Sequence, residues 1–303
     1  EQFPLRGIAL LTDQLNVQRL ENNPILRPNM DDRMGDNLNG PSLIKIPEWV
    51  PNPLGKYYLY FGHHDGKYVR LAYSDDLTGP WRIHTPGALA LEESNFAGHI
   101  ASPDVHIDNE SQQIRMYFHG SDTASAKGGD QSTRVAVSTD GLAFRGQPEL
   151  LGNPYLRAFV WNDRHYAIAM PGVFYRSEDG LSNFEQGPTP FTSNIRHAAV
   201  TVSGDLLKVF FTVIGDSPER IRLSTIKLSG DWMNWEASEP VDVLAPELPW
   251  EGSEMPIEPS MRGLVYGPVN QLRDPAIFHE GDRTYLLYSV SGESGIAIAE
   301  LLN

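Results

Sequence analysis

Tyr57-Tyr58-Leu59-Tyr60-Phe61-Gly62 is a short aromatic run that closes on a glycine, and the chain returns to this pattern four times. The later copies are Arg115-Met116-Tyr117-Phe118-His119-Gly120, Tyr166-Ala167-Ile168-Ala169-Met170-Pro171, Lys208-Val209-Phe210-Phe211-Thr212 and Tyr285-Leu286-Leu287-Tyr288-Ser289. Aromatic and β-branched runs of this length, bounded by turn residues, read as strands. Each has an apolar run with a polar lead-in before it: Gly40-Pro41-Ser42-Leu43-Ile44, Ser102-Pro103-Asp104-Val105-His106, Leu156-Arg157-Ala158-Phe159-Val160, Arg196-His197-Ala198-Ala199-Val200 and Asp274-Pro275-Ala276-Ile277-Phe278. A third strand follows in every unit, and two of these end in Ser-x-Asp-Gly turn signals, Ser138 to Gly141 and Ser177 to Gly180. Trp81, Phe144, Phe184 and Trp235 then lead into short fourth strands.

Five such units in 303 residues predict an all-β fold: one five-bladed β-propeller domain, with blades at roughly 37–92, 99–151, 152–192, 195–245 and 264–303. A β-sandwich is the runner-up, and five in-phase repeats count against it. The fifth unit shows no fourth strand of its own, whereas Leu5 to Thr12 reads as an isolated strand before the first unit, and this N-terminal strand is expected to complete or cover the last blade. Residues near 13–36 and 246–264 read as long connections without strand period.

Lys and Arg number 24 against 39 Asp and Glu, a net charge of −15, and no basic patch stands out, which argues against nucleic acid as a partner. No apolar run approaches the roughly 18 residues that cross a bilayer. With no cysteine there are no disulfides, thiolate nucleophiles or Cys-type zinc sites. The chain begins at Glu1 without Met, which fits a cleaved signal peptide, so a periplasmic or extracellular location is expected, with the cytoplasm as the alternative. Oligomeric state is not legible.

In a propeller the innermost strand of each blade lines the axis, so the five lead-ins converge on one mouth. They carry Asn39, Asp104, Arg157, His197, and Arg273 with Asp274. The following turns add His63, His64, His119, Arg220 and Glu293, with Trp161, Trp250 and Tyr155 as aromatic candidates for stacking on sugar faces. Carboxylates and imidazoles beside guanidinium groups suit glycosidic cleavage, in which one group protonates the leaving oxygen and another activates water or attacks the anomeric carbon. For Asp104 and Asp274 the competing reading is a turn carboxylate that caps backbone N–H groups, and for Arg157 and Arg273 it is blade-to-blade pairing.

The arrangement resembles the five-bladed propeller glycoside hydrolases of families 43, 32, 68, 117 and 130. Ala101-Ser102-Pro103-Asp104-Val105-His106 is similar to the second-blade segment of family 43, and Arg273-Asp274-Pro275 resembles the Arg-Asp-Pro triplet of families 32 and 68. The resemblance implies a glycosidase acting on an oligosaccharide from a plant or algal polysaccharide. Where family 43 carries its general base as Asp-Pro at the first blade, this chain has Gly40-Pro41, with Asn39 and Asp36 beside it. Where family 43 carries its acid, this chain has His197, and a histidine acid is similar to family 117. The expected catalytic set is His197 as acid with Asp274 or Asp104 as base, and Asp36, Glu254 and Glu258 in reserve. An inverting, exo-acting mechanism is expected, with no cofactor or metal required and room for a structural cation in the channel. A polysaccharide lyase using His197 with Arg157 or Arg273, and a non-catalytic sugar-binding propeller, are the rivals.

Overall fold

The computed structural model describes residues 15–64, 66–123, 131–192 and 194–302. Among the described residues, twenty strands form five antiparallel four-stranded sheets. A first strand, β1 (Asn16–Arg19), is set aside for the last blade. Blade 1 is β2 (Asn39–Lys45), β3 (Tyr57–Gly62), β4 (Tyr68–Ser74) and β5 (Arg82–Ala90). Blade 2 is β6 (His99–Asp108), β7 (Gln113–Ser121), β8 (Ser132–Ser138) and β9 (Arg145–Gly146). Blade 3 is β10 (Arg157–Trp161), β11 (Arg164–Ala169), β12 (Val173–Ser177) and β13 (Glu185–Gln186). Blade 4 is β14 (Ile195–Ser203), β15 (Leu206–Val213), β16 (Ile221–Lys227) and β17 (Val241–Leu244). Blade 5 runs β18 (Arg273–Glu280), β19 (Arg283–Ser289) and β20 (Ile296–Leu302), and its outermost strand is β1.

The last blade is thus closed by an N-terminal strand, with Asn16 opposite Leu302 and Arg19 opposite Ala299. This strand falls inside the stretch expected to have no strand period, because its four residues are too few and too polar to show one. The Leu5–Thr12 run lies outside the described residues. Arg19 fastens the closure from Nε and Nη2 to the two carboxylate oxygens of fully buried Glu251, at 2.7 and 2.9 Å.

The aromatic runs are unbroken because the second strand of each blade is buried on both faces, so successive side chains serve different neighbours. On β3, Tyr57, Leu59 and Phe61 pack towards blade 5, whereas Tyr58 and Tyr60 pack towards blade 2. On β19, Tyr285 and Leu287 face blade 1, and Leu286 and Tyr288 face blade 4. Five hydrophobic cores result, one between each pair of adjacent blades. Hydroxyls staple the same seams: Tyr60 donates to the Gly141 carbonyl and Tyr117 to the Gly180 carbonyl, each a turn of the next blade. The Ser-x-Asp-Gly segments are turns, as Asp140 and Asp179 accept the N–H groups of Leu142 and Ala143, and of Leu181 and Ser182.

One irregularity repeats and positions the site. The pairing of first and second strands skips two residues in four blades: between Asn39 and Ser42, Ala101 and Asp104, Ile195 and Ala198, and Arg273 and Ala276. Within three of these bulges the first skipped residue is left-handed: Gly40 (φ 55°), Ser102 (φ 48°) and Asp274 (φ 49°). Each precedes a proline.

Candidate active site

The bulges stand where the inner strands begin, and the side chains they turn inward meet at that end of the channel. Asp274, Ser102, His197 and Asn39 line one narrow cavity with His64, His99, His119, Gln131, Tyr155 and Glu293. The space between them is about 10 Å3, the room of a single water.

His197 and Asp274 are both buried, and His197 Nδ1 lies 3.1 Å from Asp274 Oδ1. Ser289 Oγ donates to the other carboxylate oxygen at 3.0 Å. Burial, reinforced by the nearby Glu293 carboxylate, pushes the Asp274 carboxyl up to about 6 against the pull of Arg196 and Arg273. Burial, with Arg196, Arg273 and Arg157 nearby, drives the His197 imidazole well below its ordinary value, so it is neutral. The pair therefore takes up a proton on Asp274 as pH falls through about 6.

Glu293 is the opposite case. Burial works against its charge, but His64, Arg273 and Asn37 overrule it and hold the carboxyl down to about 2. Arg273 Nη1 donates to Oε1 at 2.8 Å, His64 Nδ1 lies 3.5 Å from the same oxygen, and Asn37 Nδ2 donates to Oε2. Two carboxyl groups in one cavity therefore sit at opposite ends of the carboxylate range.

His119 is buried, and among the described residues its Nδ1 has no hydrogen-bond partner. Burial first, then His99, His64 and Arg157, keep it well below its ordinary value and neutral. Tyr155 packs against both catalytic-side imidazoles, with ring centroids 4.3 Å from His119 and 4.6 Å from His197. Its backbone is also left-handed (φ 60°), which turns the ring inward ahead of β10. Asn39 donates to Asn37 Oδ1 at 3.2 Å, and its own Oδ1 is buried with no partner among the described residues.

The arginines expected to meet substrate are spoken for. Arg157 donates through Nε and Nη1 to the carbonyls of Ala198, Ser102, Pro103 and Leu156 at 3.1 to 3.4 Å, tying blade 3 to its neighbours, blades 2 and 4. Two of those carbonyls belong to the Ser102-Pro103 bulge, where the ladder offers no strand partner. Fully buried Arg273 is held by Gln271, Glu293 and, at 3.5 Å, Glu219. Arg196 pairs with Glu219 at 3.1 Å and with the Met261 carbonyl. Arg220 points to Asp216 and Asp242 at the surface.

Asp104 stands apart. It lies two residues beyond the bulge position, opposite Tyr117, and lines a separate cavity at the other end of the channel. It therefore does not share a substrate pocket with His197 and Asp274. Trp161, at the far end of β10, packs against Trp235 and donates to Asp205, and Trp250 packs into the core between blades 4 and 5. Asp36, Glu254 and Glu258 are exposed, and His63 is half-buried outside the cavity lining. His99, Asn37, Ser102 and Gln131 were not singled out from the sequence. The Pro41, Pro103 and Pro275 register carries the signal for Ser102, since aligning the prolines sets Ser102, not Asp104, level with Asp274. The same register explains Gly40: a Cβ there would stand 2.6 Å from Ser102 Cα, so this blade has no room for a carboxylate. Among the described residues no group of three or more His, Asp or Glu is placed to hold a metal ion.

No family model matches the chain. An uncharacterized protein of Acanthamoeba polyphaga mimivirus is 38% identical over 339 aligned positions, covering 99% of this chain and 94% of that protein. Among solved structures, a putative glycosidase from Bacteroides thetaiotaomicron is similar with a TM-score of 0.65 at 13% identity, covering 94% of this chain and 96% of that one. A family-43 β-xylosidase/α-arabinofuranosidase from a compost microbial metagenome, in complex with xylotriose, gives 0.62 at 14% identity, covering 95% and 96%. An N-acetylgalactosamine deacetylase from F. plautii, in complex with blood group B trisaccharide, gives 0.62 at 13%, covering 94% and 95%. The fold shared with these proteins is the five-bladed propeller.

Proposed function

The chain belongs to one family with that mimivirus protein, and on the propeller it shares with family-43 glycoside hydrolases we propose that it hydrolyses a terminal glycosidic bond of a neutral plant or algal oligosaccharide. The observation that carries this reading is the His197–Asp274 contact, 3.1 Å, in a cavity that also holds an ionised Glu293.

Because the two groups touch, they act as one proton donor and do not face each other across a substrate. His197 Nε2 makes no hydrogen bond among the described residues and is the nitrogen left to meet the leaving oxygen. As Nε2–H passes to that oxygen, the Asp274 carboxyl proton moves to Nδ1, leaving a carboxylate and a neutral imidazole. Glu293, with its charge fixed, stabilises positive charge at the anomeric carbon. The neutral His119, with its unpartnered Nδ1, takes the proton of the attacking water, which gives inversion. The cavity is smaller than a sugar ring, so binding displaces one of its half-buried members, Tyr155, His64 or Gln131.

A lyase reading is less well supported, since a uronate carboxylate needs a free cation, Arg196 and Arg273 are paired with Glu219 and Glu293, and Arg157 does not line the His197 cavity. The test is a panel of neutral and acetylated plant and algal oligosaccharides followed by proton NMR. A new reducing end with inverted anomeric configuration supports the proposal. An unsaturated product would make it a lyase, acetate without a new reducing end a deacetylase, and binding without turnover a lectin-like propeller.

A further inference from the structure

The larger cavity lies at the other end of the channel, about 690 Å3, within the range of small-molecule sites. Arg157 lines this cavity and not the His197 one, and the two share no lining residue. Its walls are the downstream halves of all five inner strands, and one side carries a second carboxylate–imidazole pair. His106 Nε2 lies 2.7 Å from Asp104 Oδ2, and the same oxygen accepts the Ala158 N–H at 2.8 Å, so the pair is fixed to the next blade. Tyr117 braces the ring edge-on at 5.8 Å.

What the pair leaves over is informative. Asp104 Oδ1 and His106 Nδ1 make no hydrogen bond among the described residues, and the His106 side chain is 41% exposed to the cavity. An acceptor and an imidazole nitrogen, on side chains joined to each other, match the two adjacent hydroxyls of a vicinal diol. Across the cavity, Val160, Val200, Val202 and Ile277 present an aliphatic surface, with Val160 54% exposed. That surface suits the C–H face of a ring. An anion is poorly matched: Arg115 is held by Asp108 and the Asp179 carbonyl, Arg157 turns Nε and Nη1 to four carbonyls, no lysine lines the space, and Asp108 and Glu110 add negative charge.

We propose that this second mouth is a binding site for a neutral vicinal diol of sugar size, held by Asp104 and His106 against the Val160–Ile277 wall. It is separate from the proposed active site and does not depend on what that site cleaves.

The test uses the full chain carrying Asp274→Asn, labelled at histidine, with methyl xyloside, methyl galactoside and myo-inositol as probes and the imidazole resonances as readout. A saturable shift of the His106 signal, weakened roughly tenfold or more by Asp104→Asn, is the expected result. Val160→Arg, at an exposed wall position, blocks the cavity without touching the pair and is expected to abolish the shift. No His106 response to any probe at about 50 mM, or a response to inorganic phosphate in place of the diols, overturns the proposal. Shifts confined to His197 and His119 overturn it as well.

Discussion

His197 Nδ1 stands 3.1 Å from Asp274 Oδ1, with both side chains closed off from solvent. An imidazole driven neutral and a carboxyl raised to about 6 form a single titrating unit, not an acid and a base on opposite sides of a bond.

Asp274→Asn should separate activity from stability. The raised carboxyl favours the protonated form in the fold, so its stabilising effect is complete below about 3.8 and is lost as pH rises through about 6. At pH 7 the ionised group is a burden of about 2–3 kcal/mol, from the size of the shift. Turnover is expected to fall roughly 10²–10⁴-fold while the melting temperature at pH 7 rises. A variant that melts lower at pH 7 would contradict the raised carboxyl.

The pH profile reports the direction of proton transfer. If the pair donates, kcat/KM is high below about 6 and declines as pH rises through it. A profile that climbs through that range instead would make Asp274 the base.

His119→Phe should improve acid tolerance. Because folding depresses His119, its contribution is present above about 6.5 and is lost as pH falls towards the folded value. Thermal melts from pH 7 down to pH 5 should show a smaller loss for the variant than for the parent chain, while hydrolysis is lost. Equal losses in both would show that His119 charges freely in the fold.

Glu293→Gln leaves Arg273 buried with half its counter-charge removed. A cost of about 3–5 kcal/mol is expected by denaturant titration at pH 7. The depressed carboxyl means that the parent keeps this stability above about 4.5 and loses it as pH falls towards about 2. Unfolding curves that coincide at pH 7 would contradict the ion pair.

Arg19→Ala loosens the ring at its seam. Glu251 keeps the Tyr288 hydroxyl and the Glu247 and Leu248 N–H groups, so the loss is about 2–3 kcal/mol. Hydrogen exchange should quicken first at Asn16–Arg19 and Ile296–Leu302, and quickening spread evenly over all blades would argue against a local seam.

The fold was legible because burial on both faces of every second strand forces unbroken aromatic runs, and five runs such as Tyr57–Phe61 can be counted. The seam strand Asn16–Arg19 was not, because its burial alternates over only four residues. In the site, His197, Asp274, Glu293, His64, His119 and Asn39 were within reach of a blade-by-blade alignment. Asp104 was aligned with Asp274 by its charge, whereas the bulge follows the proline. Arg157 and Arg273 were expected at the substrate because guanidinium groups near an axis invite that reading. Bulged strands expose carbonyls, and Arg157 turns its Nε and Nη1 to them.

The seam between Asn16–Arg19 and Ala299–Leu302 also sets an order of events. β1 precedes blades 1 to 4 along the chain and waits unpaired until β20 has been synthesised, on the order of tens of seconds at ribosomal rates. Blades 1 to 4 each hold four strands contiguous in sequence and can assemble as they emerge. Blade 5 cannot, so during synthesis the β20 edge and its future partner are the exposed strands of the nascent chain, and pairing between two such chains would give a strand-swapped dimer.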